Sequence, residues 1–120
     1  MKRNDSKMNA DLAFRAFSDR TRLRILHLLL DGELCVGDLV TILKTPQPTA
    51  SRHLAYLRKA KLVTTKKKGS WTFYSLIPAR TGFHKKLIAC LSQCFTEVDE
   101  IAADNIKARK LKRSGGCCPH

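Results

Sequence analysis

Two short helices joined by a Pro-containing turn, followed by a basic β-hairpin, predict a mainly α fold with a β-hairpin wing, a winged helix-turn-helix. Three observations carry this reading. Apolar side chains recur at helical spacing through residues 9–61. Pro46 and Pro48 suit the first turn of a helix and not its interior. Two β-prone runs flank a lysine-rich segment that ends in Gly69-Ser70.

The elements follow in order. In residues 9–30 the apolar positions fall in two groups: Leu12, Ala13, Ala16 and Phe17, then Leu23, Ile25, Leu26, Leu28, Leu29 and Leu30. Ser18 and Asp19 between them can cap a second helix, and Asp31-Gly32 ends it. A short helix over about 36–44 carries Leu39, Val40, Ile42 and Leu43, most of them inward. A longer one begins near Gln47 or Pro48 and runs to about Lys61, burying Ala50, Leu54 and Leu57. Strands over 62–65 and 71–76 enclose a basic tip, Lys66-Lys67-Lys68-Gly69-Ser70. A last helix, roughly 82–107, bears Leu87, Leu91, Cys94, Phe95, Val98, Ile101 and Ala102 on one stripe. It is long for a small domain, so part of the stripe is assigned to a partner subunit, and the fold is expected to dimerise through its terminal helices. Residues 1–107 thus form the DNA-binding and dimerisation domain, and 108–120 a flexible basic, Gly-containing tail ending in Cys117 and Cys118.

Composition narrows the function. Lys plus Arg number 23 against 10 Asp plus Glu, a formal charge of +13, which calls for a polyanionic partner. Membrane insertion is excluded on this reading, because the most apolar stretch, Ile25 to Leu30, is interrupted by His27 and far too short to span a bilayer. The charged N-terminal stretch lacks the apolar segment of a signal peptide, so a cytoplasmic location is expected. In that reducing compartment five cysteines point to packing, metal ligation or redox sensing more than to structural disulfides. No phosphate loop or nucleophile motif accompanies the His and Cys residues, so an enzyme is not expected.

The second helix of the pair would enter the major groove of double-stranded DNA with its N-terminal half nearest the bases. Gln47, Thr49, Ser51 and Arg52 lie there. Gln suits adenine, Arg suits guanine, and hydroxyls suit bases or phosphates. Lys66, Lys67 and Lys68 would hold phosphates, which positions the protein without reading sequence.

The segments AFSDRTRLRILHLLLDGELCVGDLV, QPTASRHLAYLRKAKLV and KKKGSWTFYSL closely resemble the ArsR-type family of metal-responsive winged-helix repressors, in the right order over about residues 9–105. The resemblance implies a homodimeric repressor that leaves its operator when a metal or metalloid binds. It also places Ser51 and His53 on the recognition helix as the S-x-H-L signature, with His53 serving either DNA or the helix-turn-helix scaffold. The family's familiar arsenic site is a Cys-x-Cys in the segment that reads ELCVGDLV here. This chain has Cys35, but Gly37 replaces the second cysteine, so the local site is incomplete. Nor does the last helix carry the Asp/His pairs of the family's zinc sensors, His84 being its only histidine.

Other thiols remain. Cys117 and Cys118 are adjacent, and Cys90 and Cys94 stand four apart on one helix face. Thiolates select thiophilic ions. As(III) or Sb(III), as the resemblance implies, would take Cys117, Cys118 and a third sulfur from Cys35, Cys90 or Cys94, whereas a methylated As(III) needs only two. A ten-residue linker spans roughly 17 Å, enough to reach any of the three. The leading expectation is therefore a DNA-bound homodimeric repressor released by trivalent arsenic or antimony, inorganic or methylated. Two alternatives stand beside it: a thiol-based redox or persulfide switch on the same fold, and a basic nucleic-acid-binding protein with no sensor.

Overall fold

The computed structural model describes residues 9–95 and 98–115, the Cys94 side chain excepted. Cys117 and Cys118 therefore lie outside the described residues. Helix α1 spans Ala10–Phe17 and α2 spans Arg20–Leu28. Each starts where a short polar side chain takes up an orphan amide: Asn9 accepts from the Leu12 N–H at 3.2 Å, and Asp19 from the Arg22 N–H at 3.0 Å. A 3-10 turn, Leu29–Asp31, and Gly32 at φ 130° then redirect the chain. Strand β1 is Leu34–Cys35, followed by α3, Val36–Leu43, and α4, Gln47–Lys59. Strands β2, Val63–Lys68, and β3, Trp71–Leu76, form the wing, and α5, Gly82–Cys94, and α6, Asp99–Arg113, complete the fold. The winged helix-turn-helix expected from the sequence is the fold observed.

Four local details differ from the sequence reading. Strand β1 is an addition: it pairs antiparallel with β3, Leu34 opposite Tyr74 and Cys35 opposite Phe73, making a three-stranded sheet in the order β1-β3-β2. The three lysines expected at the wing tip lie within β2, which pairs with β3 as far as Lys68 opposite Trp71. The turn itself is only Gly69-Ser70, with Gly69 at φ 65° as a two-residue hairpin of the II′ kind demands. The last helix is two helices, because α5 stops at Cys94 and α6 starts at Asp99. Finally, α6 runs through Arg113, so residues 108–113, expected as a flexible tail, are helical.

One core unites the domain. Ile25 and Leu26 of α2, Leu39 of α3, Leu54 and Leu57 of α4 and Leu91 of α5 are all fully buried. Helix α6 covers the outer flank of α2 and α3, placing Ile101 and Ala108 in the interior. Asp104 lies between them on the same face and is 1% exposed. Its carboxylate accepts two hydrogen bonds from Arg24 of α2, from Nε at 2.8 Å and from a terminal nitrogen at 2.9 Å. That fork fixes α6 against α2 and satisfies a carboxylate that could not otherwise be buried. The bond to Asp104 raises the Arg24 pKa above its ordinary value. Burial opposes the shift, while the nearby charges of Asp104 and Glu100 add to it. Glu100, one turn earlier, pairs with Arg20.

Candidate nucleic-acid interface and thiol centre

Helix α4 begins at a turn that leaves its first residues projecting. Lys44 adopts the left-handed conformation, φ 52°, and Pro46, at φ −56°, leads into the helix with Pro48 in its first turn. Ala50, Leu54 and Leu57 face the core, and the opposite side is left to Gln47 and Arg52, both exposed, with Thr49 and Ser51 half-buried beside them. All four lie in the N-terminal half of the helix. His53, half-buried, follows them. Its Nδ1 lies 3.8 Å from Asp19 Oδ2, the carboxylate that caps α2, so its surroundings are those of the scaffold. Arg22 tightens the same corner by donating to the Arg15 carbonyl at 2.9 Å and stacking on the Tyr56 ring, 4.3 Å from its centre.

The wing lysines are not equivalent. Lys66 and Lys67 are exposed. Lys68 donates to Glu33 at 2.6 Å, and its Nζ lies 4.6 Å from the centre of the Phe73 ring. Sequence reasoning missed this pairing, since Glu33 and Lys68 are brought together only by the β1–β3–β2 order. A cation held by a carboxylate contributes less to phosphate binding than one in solvent. Substituting Glu33→Gln should therefore steepen the salt dependence of DNA binding by close to one phosphate contact per bound protomer, about 0.9 each in the slope of log K against log salt. Titrations at several salt concentrations would show this, and an unchanged slope would mean that Lys68 already reaches phosphate past Glu33.

Cys35 is fully buried and sits at the N-cap of α3, where its Sγ accepts from the Asp38 N–H at 3.4 Å. The sulfur thus occupies the place of a capping oxygen at the start of the helix. Phe73 covers it from β3. Cys35 is also disulfide-bonded, where composition led one to expect reduced thiols. Cys90 is half-buried on α5, and Cys94 ends the same helix. Among the described residues no three His, Cys, Asp or Glu side chains are grouped to hold a metal ion. His84 is buried, and its Nε2 has no hydrogen-bond partner among them; that burial lowers its pKa and keeps the ring neutral. No helix among the described residues is long and apolar enough to cross a membrane.

Comparison with known proteins follows the same geometry. Residues 19–65, which hold α2, the helix-turn-helix and the start of the wing, match the family described as "Bacterial regulatory protein, arsR family". The chain is 40% identical to the arsenical resistance operon repressor of Escherichia coli over 94 residues, 78% of this chain and 80% of that one. It is 35% identical to the transcriptional activator HlyU of Vibrio cholerae over 100 residues, 83% of this chain and 88% of that one. The solved structure of HlyU from the same organism superposes with a TM-score of 0.64 at 36% identity, covering 73% of this chain and 92% of that one. These relatives are transcriptional regulators and not enzymes. With its fold, its helix-turn-helix and relatives matched over most of their length, the chain belongs to the arsR family of bacterial regulatory proteins.

Proposed function

We propose that this chain is a homodimeric repressor that holds double-stranded operator DNA and is released when trivalent arsenic or antimony, inorganic or methylated, is bound by cysteine thiolates. Gln47, Thr49, Ser51 and Arg52 read the major groove, and Lys66, Lys67 and, once freed from Glu33, Lys68 hold phosphates. Cys117 and Cys118 supply two sulfurs, with the third from Cys35, Cys90 or Cys94. The observation that carries the thiol reading is the disulfide at Cys35. Two sulfurs close enough to bond are, once reduced, close enough to share one thiophilic ion. The likeness to the Escherichia coli repressor supports arsenic as inducer. Dimerisation through the terminal helices is supported by Phe14 of α1, which is 58% exposed and packs edge-on against Phe83 of α5, with ring centres 5.6 Å apart. So large an open aromatic pair suits coverage by a second copy.

The same disulfide favours a second reading, in which thiol oxidation itself is the signal. Fluorescence anisotropy on DNA from upstream of the gene separates the two. In reducing buffer, As(III) and methylarsenite should release the wild type and leave Cys117→Ser/Cys118→Ser bound, and a chelating dithiol should reverse the release. If neither compound releases the wild type while an oxidant does, and a simple reductant restores binding, the redox reading replaces the metalloid one.

A further inference from the structure

Beyond the helix-turn-helix and wing, we propose that the C-terminal half of α6 is a third DNA contact, gripping the phosphate backbone in the groove between α6 and α3. The proposal rests on the DNA-binding reading above. The groove has a volume of about 260 Å³ and is lined by Thr41 and Ile42 of α3 and by Lys107, Lys110, Leu111 and Ser114. Lys107 and Lys110 stand three apart on one face of α6, Ser114 caps the helix four residues on, and Ile42 and Leu111 are the apolar residues that line the groove with them.

Charge along α6 is divided. Its acids, Asp99, Glu100 and Asp104, fall in the first six residues, and the latter two pair with arginines of α2. Five of the seven residues 107–113 are basic, and among the described residues none of the five has an ion-pair partner. Like charges so concentrated repel one another and favour a polyanion that neutralises them.

Position selects the polyanion. Thr41 and Ile42 are in the last turn of α3, just before the Lys44–Pro46 turn that delivers α4 to the major groove. In a helix-turn-helix the first helix crosses the DNA backbone, so a cationic stripe packed beside α3 lies along the path of the phosphates. A membrane surface fits less well. Binding there needs an apolar face to bury, and Ile101, Ala108 and Leu111 already turn that face of α6 towards the protein.

The test uses the full chain, an operator duplex and a scrambled duplex of equal length, titrated by anisotropy over a series of potassium chloride concentrations. Lys107→Gln/Lys110→Gln removes two phosphate contacts from each protomer and should lower the magnitude of the log K against log salt slope by about 3.6 for the bound dimer, at about 0.9 per contact, and equally on both duplexes. Ser114→Lys, one added cation per protomer, should raise it by about 1.8 for the bound dimer, a gain that misfolding cannot produce. Slopes equal to wild type in both variants overturn the proposal. So does a double variant that binds DNA normally but no longer binds phosphatidylserine vesicles, which would assign the stripe to a membrane. Failure of the underlying reading looks different: the wild type would then show no preference for operator over scrambled DNA, whatever the variants do.

Discussion

Asp104→Ala should destabilise the domain by about 3–5 kcal/mol, the range for removing one partner of a buried ion pair. Arg24 is 16% exposed and Asp104 2% by side chain, so loss of the carboxylate leaves a guanidinium in a place built for a fork of two bonds. In a chain of 120 residues about 3 kcal/mol lowers the melting temperature by about 12 °C, at about 4 °C per kcal/mol. Urea unfolding monitored by circular dichroism gives the number. The informative control is Arg24→Met with Asp104→Leu. Together these remove both desolvation costs and should recover most of the loss, or exceed wild type by about 1 kcal/mol. A loss below about 1 kcal/mol for Asp104→Ala would mean that the pair is solvated and that α6 is not held against α2 in this way.

Phe73→Ala should cost about 3–5 kcal/mol, as for other buried aromatic truncations, and it should also uncover Cys35. The ring is 1% exposed, pairs across β1–β3 with Cys35 and forms the base on which Lys68 rests. With the ring gone, reduced Cys35 should react faster with a thiol reagent. In a background with the other four cysteines changed to serine, that labelling rate reports on Cys35 alone. Phe73→Leu fills most of the space and should lose less than about 2 kcal/mol with little change in rate. Equal labelling rates for wild type and Phe73→Ala would show that Phe73 does not guard the sulfur.

What could be read in the sequence was what is local. The α3–turn–α4 unit depends on spacing of Leu39, Ile42, Leu54 and Leu57 and on two prolines, and all of these act within a few residues of one another. Strand β1 is two residues long and exists only because β3 comes alongside, so Glu33, Leu34 and Cys35 gave no strand signal of their own. The break between α5 and α6 had one legible mark, Asp99-Glu100 at a helix start, which suits the positive end of the dipole. The apolar stripe running past it concealed the stop. Beyond residue 107 the stripe does continue, through Ala108 and Leu111, but between Ile101 and Ala108 its intervening position is Asp104. A buried acid reads as polar surface until its partner is known, and Arg24 is 80 residues away in sequence. Gln47, Arg52, Lys66 and Lys67 are exposed, while His53 lies near Asp19 and Lys68 is paired with Glu33.

The clamp of α6 on α2 and α3 also sets an order of events during synthesis. Domains are made from the N-terminus and fold largely as units, and loop closure is paid before distant contacts reward it. The flank of the helix-turn-helix that receives Ile101, Asp104 and Ala108 stays open to solvent until those residues have left the ribosome. Ile25, Leu26 and Leu39 can collapse early, but Arg24 waits for a carboxylate that arrives 80 residues later. A chain shortened before that carboxylate keeps every residue of α4 and still lacks the brace that makes the domain whole.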